Sequence, residues 1–349
     1  MQKVLWTGDR GFIAGYAIQK LLDRGYAVVG LDNDWKYGQV ERTFDNHPNY
    51  LHIYGDAKDV NLLKEVLINQ HIDIFVMGAA IIGGISMFNA EAYFLLAENE
   101  RINASSFDAA IYAKQYGNLN HVIAISSSMV YETATEFPSK EGDEFRIPPP
   151  ITTYGFQKLA VEYFCKGAYQ QYKLPYKLIL PFNCVGTGEI RAKNDKEIMS
   201  GNIKLAMSHV VPDLINKIYK EQNPLHILGT GKQIRHYTYA EDIADGILAV
   251  MESDKAMFES FNISTKEGIC VNDLAYKIKT KMCQIQMKMF HPQDFKIVYD
   301  PGFDHDVQCR IPDTTKAKEV LGFEAKYSLD ASLDLLIPWY MDAIDKGMI

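Results

Sequence analysis

Short apolar runs alternate with longer amphipathic stretches through the first half of the chain, and glycine or an acid marks most of the junctions. Val4-Leu5-Trp6 reads as a buried strand, followed by a glycine-bearing turn from Thr7 to Gly15 and an amphipathic helix to about Arg24. A second strand, Ala27 to Leu31, ends in Asp32-Asn33, and a third, Leu51 to Tyr54, ends in Gly55-Asp56-Ala57. Residues 59–70 have helical spacing, and Ile74 to Met77 is a strand running into Gly78-Ala79-Ala80. A helix from about Glu98 to Gln115, a strand Val122 to Ile125, a helix beginning near Tyr154 and a strand Tyr176 to Leu180 continue the alternation. Strands alternating with helices predict an α/β fold with a doubly wound parallel sheet. Ligands in such sheets bind beyond the carboxyl ends of the strands. Gly8, Asp32, Asp56, Ala79, Ser127 and Pro181 all fall at such ends.

The rhythm breaks at Gly186. Residues 189–208 are polar and Lys-rich, as in a loop or loose helix over a cleft. Leu225 to Gly229 reads as a strand and turn, and Arg235 to Tyr239 leads into an alanine-rich helix. Further helices are expected over 271–285, 314–321 and 328–346. Two lobes follow: residues 1–185 with about 235–263 form a nucleotide-binding domain, and about 186–234 with 264–349 form a smaller mixed α/β substrate lobe.

The glycine turn changes this outline into chemistry. Gly8 permits a tight turn, Gly11 lets the backbone approach a pyrophosphate, and the helix opening at Phe12-Ile13 offers free N–H groups to it. Asp32 lies 24 residues beyond Gly8, where an acid binds adenosine ribose hydroxyls and favours NAD over NADP. Arg10 is a counter-signal that keeps NADP open, since a base in the turn could meet its extra phosphate. The alternative is a turn without a nucleotide, which strand, glycines and acid together disfavour. Tyr154 and Lys158, four apart, share a helix face. If that face lines a pocket, the ammonium pulls the phenol pKa down from about 10. Such a tyrosine can take a proton from a sugar hydroxyl while a hydride leaves the same carbon.

Composition narrows the partners. A chain of 349 residues with 47% apolar and 23% charged residues has room for a large core. Its net charge of −8 argues against general binding to nucleic acid or anionic membrane. The five cysteines are scattered and form no Cys-x-x-Cys, as expected of reduced thiols in a cytoplasmic protein without a zinc site. His209, His226, His236 and His305 lack metal-ligand spacing and read as surface or packed residues, with His236 able to face a diphosphate. The run Ile74 to Ile82 is far below the roughly 18 residues of a membrane span. Met1-Gln2-Lys3 leads directly into a strand, without a signal-peptide pattern.

With Thr7-Gly8-x-x-Gly11, Asp32-Asn33, Ser126-Ser127, Tyr154-x-x-x-Lys158 and Pro181-Phe182-Asn183 in that order, the chain resembles the extended short-chain dehydrogenases/reductases. Within them it is similar to the NAD-dependent epimerases and dehydratases of nucleotide sugars. The likeness continues through Leu228 to Arg235, Phe261-Asn262-Ile263 and Asp313 to Phe323. It implies a Rossmann-type sheet, bound NAD and a nucleotide-diphosphate sugar as partner. It also implies a homodimer pairing the helices near 98–115 and 154–172.

By that resemblance Tyr154 is the catalytic base and Lys158 holds the nicotinamide ribose. Ser127, four before Tyr131, bonds the reacting hydroxyl, the alternative being that Ser126, Ser127 and Ser128 only form a turn. Cofactor contacts are carried to Gly8, Gly11, Phe12, Ile13, Asp32, Asn33, Asp56, Ala57, Ala79, Ala80, Ser126 and Pro181, with Asn99 as a structural asparagine. Substrate contacts fall on Ser127, Ser128, Asn183 and Arg235, unless Arg235 only pairs with Glu241 or Asp242. A second diphosphate arginine is expected near Phe303, with Arg310 as its substitute.

Departures point to the reaction. Ala80 to Ile85 and Asp34-Trp35-Lys36 are similar to the GDP-mannose 3,5-epimerase and GDP-fucose synthase branch, whose cysteine position holds Met129 here. The acids that dehydratases and decarboxylases place after the serine or threonine are absent at Ser128-Met129, and Glu132 lies too far along to replace them. The leading expectation is a nucleotide-sugar C4 epimerase. A 4-dehydrogenase or 4-keto reductase is the alternative, with 4,6-dehydratase, 3,5-epimerase and a non-catalytic NAD-binding protein behind it.

Overall fold

Seven parallel strands form the central sheet: β1 (Lys3–Thr7), β2 (Ala27–Asp32), β3 (Tyr50–Tyr54), β4 (Ile74–Met77), β5 (His121–Ile125), β6 (Tyr176–Pro181) and β7 (Ser260–Ile263). Their order is β7-β6-β5-β4-β1-β2-β3, so the winding reverses between β1 and β4 and opens a crevice there. The structure, a computed structural model, describes residues 1–193, 197–205, 209–302 and 306–349. Phe303, His305 and part of the 189–208 stretch lie outside the described residues.

Val4, Leu5 and Trp6 in β1 and Ile74, Phe75 and Val76 in β4 are buried on both faces of the sheet. That is why these strands read as continuous apolar runs and not as alternation. Helices Val60–Asn69, Ala92–Tyr116 and Thr153–Tyr172 cover one face through Leu63, Phe107 and Leu159. Helices Phe12–Asp23 and Ala240–Glu252 cover the other through Ile18 and Ile247. Strand β7 pairs with β6, Ser260 opposite Leu178, so the chain returns to the first sheet.

A third apolar core joins helices Val210–Tyr219, Val271–Ile285 and Leu329–Asp345 through Leu214, Ile278 and Leu333. The structure adds to the sequence reading at several places. Helix Val210–Tyr219 was not expected; Pro212 sits in its first turn, where its missing N–H costs no helical bond. Helix Ala92–Tyr116 begins before Glu98 because Leu95 is fully buried and anchors the earlier turns. Strand Ile297–Asp300 pairs in parallel with Leu225–Leu228, a long-range partner that local patterning does not reveal. No helix among the described residues is long and apolar enough to cross a membrane.

Candidate active site

A cleft of about 480 Å³ lies over the carboxyl ends of β1, β2, β4, β5 and β6. At its β1 end, Gly8 has φ +77°, and a Cβ there would stand 3.0 Å from the Ala79 backbone. The turn is held by Gly8 N–H donating to Leu31 O at 2.7 Å and Ala79 N–H donating to Thr7 Oγ1 at 3.3 Å. Gly11 is the N-cap of helix Phe12–Asp23 without a side-chain cap bond, which leaves the first N–H groups open to an anion. Phe12, Ile13 and Ala80 line the same end.

Asp32 faces this end of the cleft. Its carboxylate accepts from Asp34 N–H at 2.8 Å and Arg10 N–H at 3.3 Å. Burial pushes its pKa up, against the pull of those N–H groups. Asn33 donates to Asp56 at 3.3 Å, and Asp56 accepts from Lys58 N–H at 2.9 Å. Ala57 is buried in the core beside this loop. Asn99 clamps the exit of β4, accepting from Ile81 N–H at 2.8 Å and donating to Ile81 O at 2.9 Å and Leu95 O at 2.8 Å.

Tyr154, Lys158, Ser126, Ser127 and Ser128 share the next wall, with Pro181 at the end of β6. The Tyr154 ring stacks on Phe88, centroids 4.4 Å apart, and is buried among Met129 and Val307. Burial pushes its pKa up, while the Ser127 hydroxyl and the charges of Arg310 and Lys36 pull it down. This differs from the expected lowering by Lys158. The Lys158 ammonium is turned to Ile125 O at 2.9 Å, and its own pKa falls to about 8 through burial. Ser127 Oγ accepts from Met129 N–H at 3.2 Å and starts the turn Ser128–Tyr131. Ser126 instead points behind the wall, donating to Glu162 Oε1 at 2.7 Å and Lys158 O at 3.1 Å. Glu162 is buried against Glu144, and desolvation followed by mutual repulsion pushes its pKa well above the ordinary range.

Glu132 accepts from Thr152 N–H at 3.1 Å and Thr152 Oγ1 at 2.9 Å. Thr152 is the N-cap of helix Thr153–Tyr172, so this acid is committed to seating the helix that carries Tyr154.

Two arginines also line the cleft. Arg310 donates to Asn183 Oδ1 at 3.0 Å and Met129 Sδ at 2.8 Å, while its buried Nε has no hydrogen-bond partner. Arg235 pairs with Asp306 at 3.0 Å. That overturns the alternative pairing, because Glu241 bonds Lys20 and Tyr327, and Asp242 accepts from the Lys326 and Tyr327 N–H groups. Burial and the Arg235 charge press the Arg310 pKa down to about 9, which still leaves it protonated at neutral pH.

A further pair went unrecognised in the sequence. His209 Nδ1 lies 2.7 Å from Glu189 Oε1, and Tyr340 donates to Glu189 Oε2 at 3.2 Å. Glu189 and His209 line the cleft, so His209 is neither a bland surface residue nor packed away. Burial favours the neutral forms, but the partners outweigh it, raising His209 and lowering Glu189. Lys36 acts electrostatically on both and on Tyr154. His236 is buried on Thr265 O at 3.1 Å, and His226 pairs with Asp300 at 2.9 Å.

Sheet order, glycine turn and terminal acid together define a doubly wound dinucleotide-binding protein. More narrowly, the chain belongs to the NAD-dependent epimerase/dehydratase family, whose model matches residues 4–264. It is 27% identical over 343 residues to UDP-N-acetyl-α-D-glucosaminuronate decarboxylase of Bacillus cytotoxicus, covering 98% of each chain. It is 25% identical to dTDP-D-glucose 4,6-dehydratase of Bos taurus, over 98% of this chain and 89% of that one. A solved UDP-glucose 4-epimerase of Thermotoga maritima with UDP-glucose superimposes with a TM-score of 0.79 at 26% identity, covering 98% of this chain and all of that one. NAD is the family's cofactor, and the residues fit it. Gly8 and Gly11 leave a cradle that a Cβ would fill, the helix N-terminus is uncapped, and Asp32 offers a carboxylate to a ribose.

Proposed function

We propose that this protein converts a nucleotide-diphosphate sugar to its C4 epimer through a transient 4-keto sugar. The observation that carries this is one cleft that brings Ser127, Tyr154 and Lys158 together with Arg235 and Arg310, with Met129 where other reactions need an acid or thiol. Tyr154 takes the O4 proton, and Ser127 bonds the same oxygen, its hydroxyl opposing the burial that pushes the phenol pKa up. When bound, NAD supplies the acceptor for the C4 hydride and gives it back. Lys158 adds positive charge beside the cofactor ribose, and Asn183, Arg235 and Arg310 hold the diphosphate while the ketone turns over. The orphan Nε of Arg310 is a donor that a phosphate oxygen satisfies. In this reading residues 1–185 with 235–263 serve the cofactor and the remainder serves the sugar nucleotide. Exposed Tyr112, Tyr116, Phe156 and Tyr163 on the two long helices support a homodimer there.

The test is a panel of UDP-, GDP- and dTDP-sugars given to purified protein, read by chromatography and NMR. An epimer differing only at C4 is expected; no epimer from any donor sinks the reading. A second reading is favoured by one observation, the Glu189–His209 pair, which adds a proton-exchanging group to the cleft. Proton exchange beside the ketone would place solvent deuterium at C3 or C5, whereas C4 epimerisation leaves those carbons unlabelled. NMR of product formed in D2O separates the two.

A further inference from the structure

Arg10 sits in the glycine turn, and its backbone N–H reaches Asp32 at 3.3 Å. In dinucleotide folds an acid near the adenosine takes the ribose hydroxyl of NAD, whereas a nearby arginine accommodates the 2′-phosphate of NADP. This chain carries both groups side by side. The guanidinium, however, is engaged away from the acid. Its Nη1 donates to Asp45 Oδ1 at 2.6 Å and Val40 O at 3.3 Å, and its Nε lies 3.7 Å from Asp9 Oδ2. Asp45 is itself fixed, since its Oδ2 accepts from Arg42 N–H at 2.8 Å. The Arg42 guanidinium is committed to the turn, donating to Gly11 O at 3.0 Å and to Arg10 O.

We propose that Asp45 is a cofactor-specificity residue, holding Arg10 in an ion pair so that the guanidinium is withheld from an adenosine 2′-phosphate. It rests on the reading of NAD as cofactor. Asp32 and Asp45 then discriminate in different ways. Asp32 meets the ribose and repels a phosphate directly, while Asp45 acts through Arg10 and touches no part of the dinucleotide.

Calorimetric titration with NAD and with NADP tests this in the full chain. Wild type is expected to bind NAD and to prefer it. In a D32S background, adding D45N tightens NADP binding by about tenfold, the scale of one charge-assisted contact, and adding R10Q to that pair removes the gain. With Asp45 present, D32S and D32S/R10Q bind NADP within about twofold of each other, because the guanidinium is already sequestered. This second comparison stands even if D45N fails to fold. The proposal is overturned if D32S/D45N binds NADP no tighter than D32S, if the gain survives R10Q, or if R10Q alone weakens NADP binding to D32S by about tenfold. Wild type that binds neither dinucleotide overturns the NAD reading and this proposal together. NAD binding with unmoved NADP affinities overturns this proposal alone.

Discussion

The two ends of the cleft are built in different ways. The β1–β2 end is mostly backbone: a left-handed Gly8, an uncapped helix start at Gly11 and a strand-end acid, all within residues 8–32. The other end is made of side chains from distant segments. Arg310 reaches across 127 positions to Asn183 and 181 to Met129, and Tyr340 reaches across 151 to Glu189. Backbone donors cannot be substituted away, so at the β1–β2 end only side chains such as Asp32, Arg10 and Asp45 are left to tune the ligand. A side-chain-built site can be re-specified residue by residue. The similar proteins of this family bear the names of a decarboxylase, a 4,6-dehydratase and a 4-epimerase.

The largest effect that sharpens this contrast is at the junction of the two ends. Tyr154→Phe is expected to lower kcat by about 10³-fold with NAD binding intact, as for loss of a general base. Stopped-flow with the identified sugar and calorimetry with NAD measure the two halves; full activity would remove Tyr154 from the mechanism. Next, Arg310→Ala is expected to raise KM for the nucleotide sugar by roughly 10–100-fold, from about 1.5–3 kcal/mol of charged hydrogen bonding. NAD affinity should stay unchanged, and a parallel loss of NAD would break the division between the ends.

Gly8→Ala does the reverse. A left-handed φ and a Cβ 3.0 Å from Ala79 backbone strain the turn, so NAD binding is expected to weaken about tenfold. Nucleotide binding at the sugar end, followed with UDP or GDP alone, should persist.

The smallest effect is a pH slope. His209 has a raised pKa, so its contribution to stability is fully present below its ordinary value of 6.5 and is lost as pH rises through the raised one. Glu189 has a lowered pKa, so its contribution is present above 4.5 and lost as pH falls through the lowered value. His209→Asn should therefore reduce Tm most between those limits and least in alkaline buffer. A melting-temperature difference that does not vary with pH would show that the pair is not an ion pair.

The β1–β2 end was legible because each of its features is local. Gly8, Gly11 and Asp32 lie where one strand, one turn and one helix place them, and the structure faces all three to the cleft. The other end was half legible. Tyr154 and Lys158 share a helix face, yet the direction of the Lys158 ammonium, toward Ile125 O, depends on burial that no i,i+4 spacing reveals. His209 and Glu189, 20 positions apart, meet where helix Val210–Tyr219 begins, a helix the sequence reading did not include. Arg235 was recognised, but its partner Asp306 lies 71 positions away and could not be chosen over the nearer acids.

The seating of helix Thr153–Tyr172 has a mechanical consequence. Glu132 pegs its first turn through Thr152, and Ser126 pegs its middle through Lys158 O and Glu162. Both pegs grip the helix on hydrogen bonds that bypass Met129. The Tyr154 ring itself is buried with Met129, so the pegs fix the helix while residue 129 shapes the surface on which the ring rests. A substitution at 129 therefore meets the Tyr154 ring directly and leaves untouched the two pegs that seat its helix.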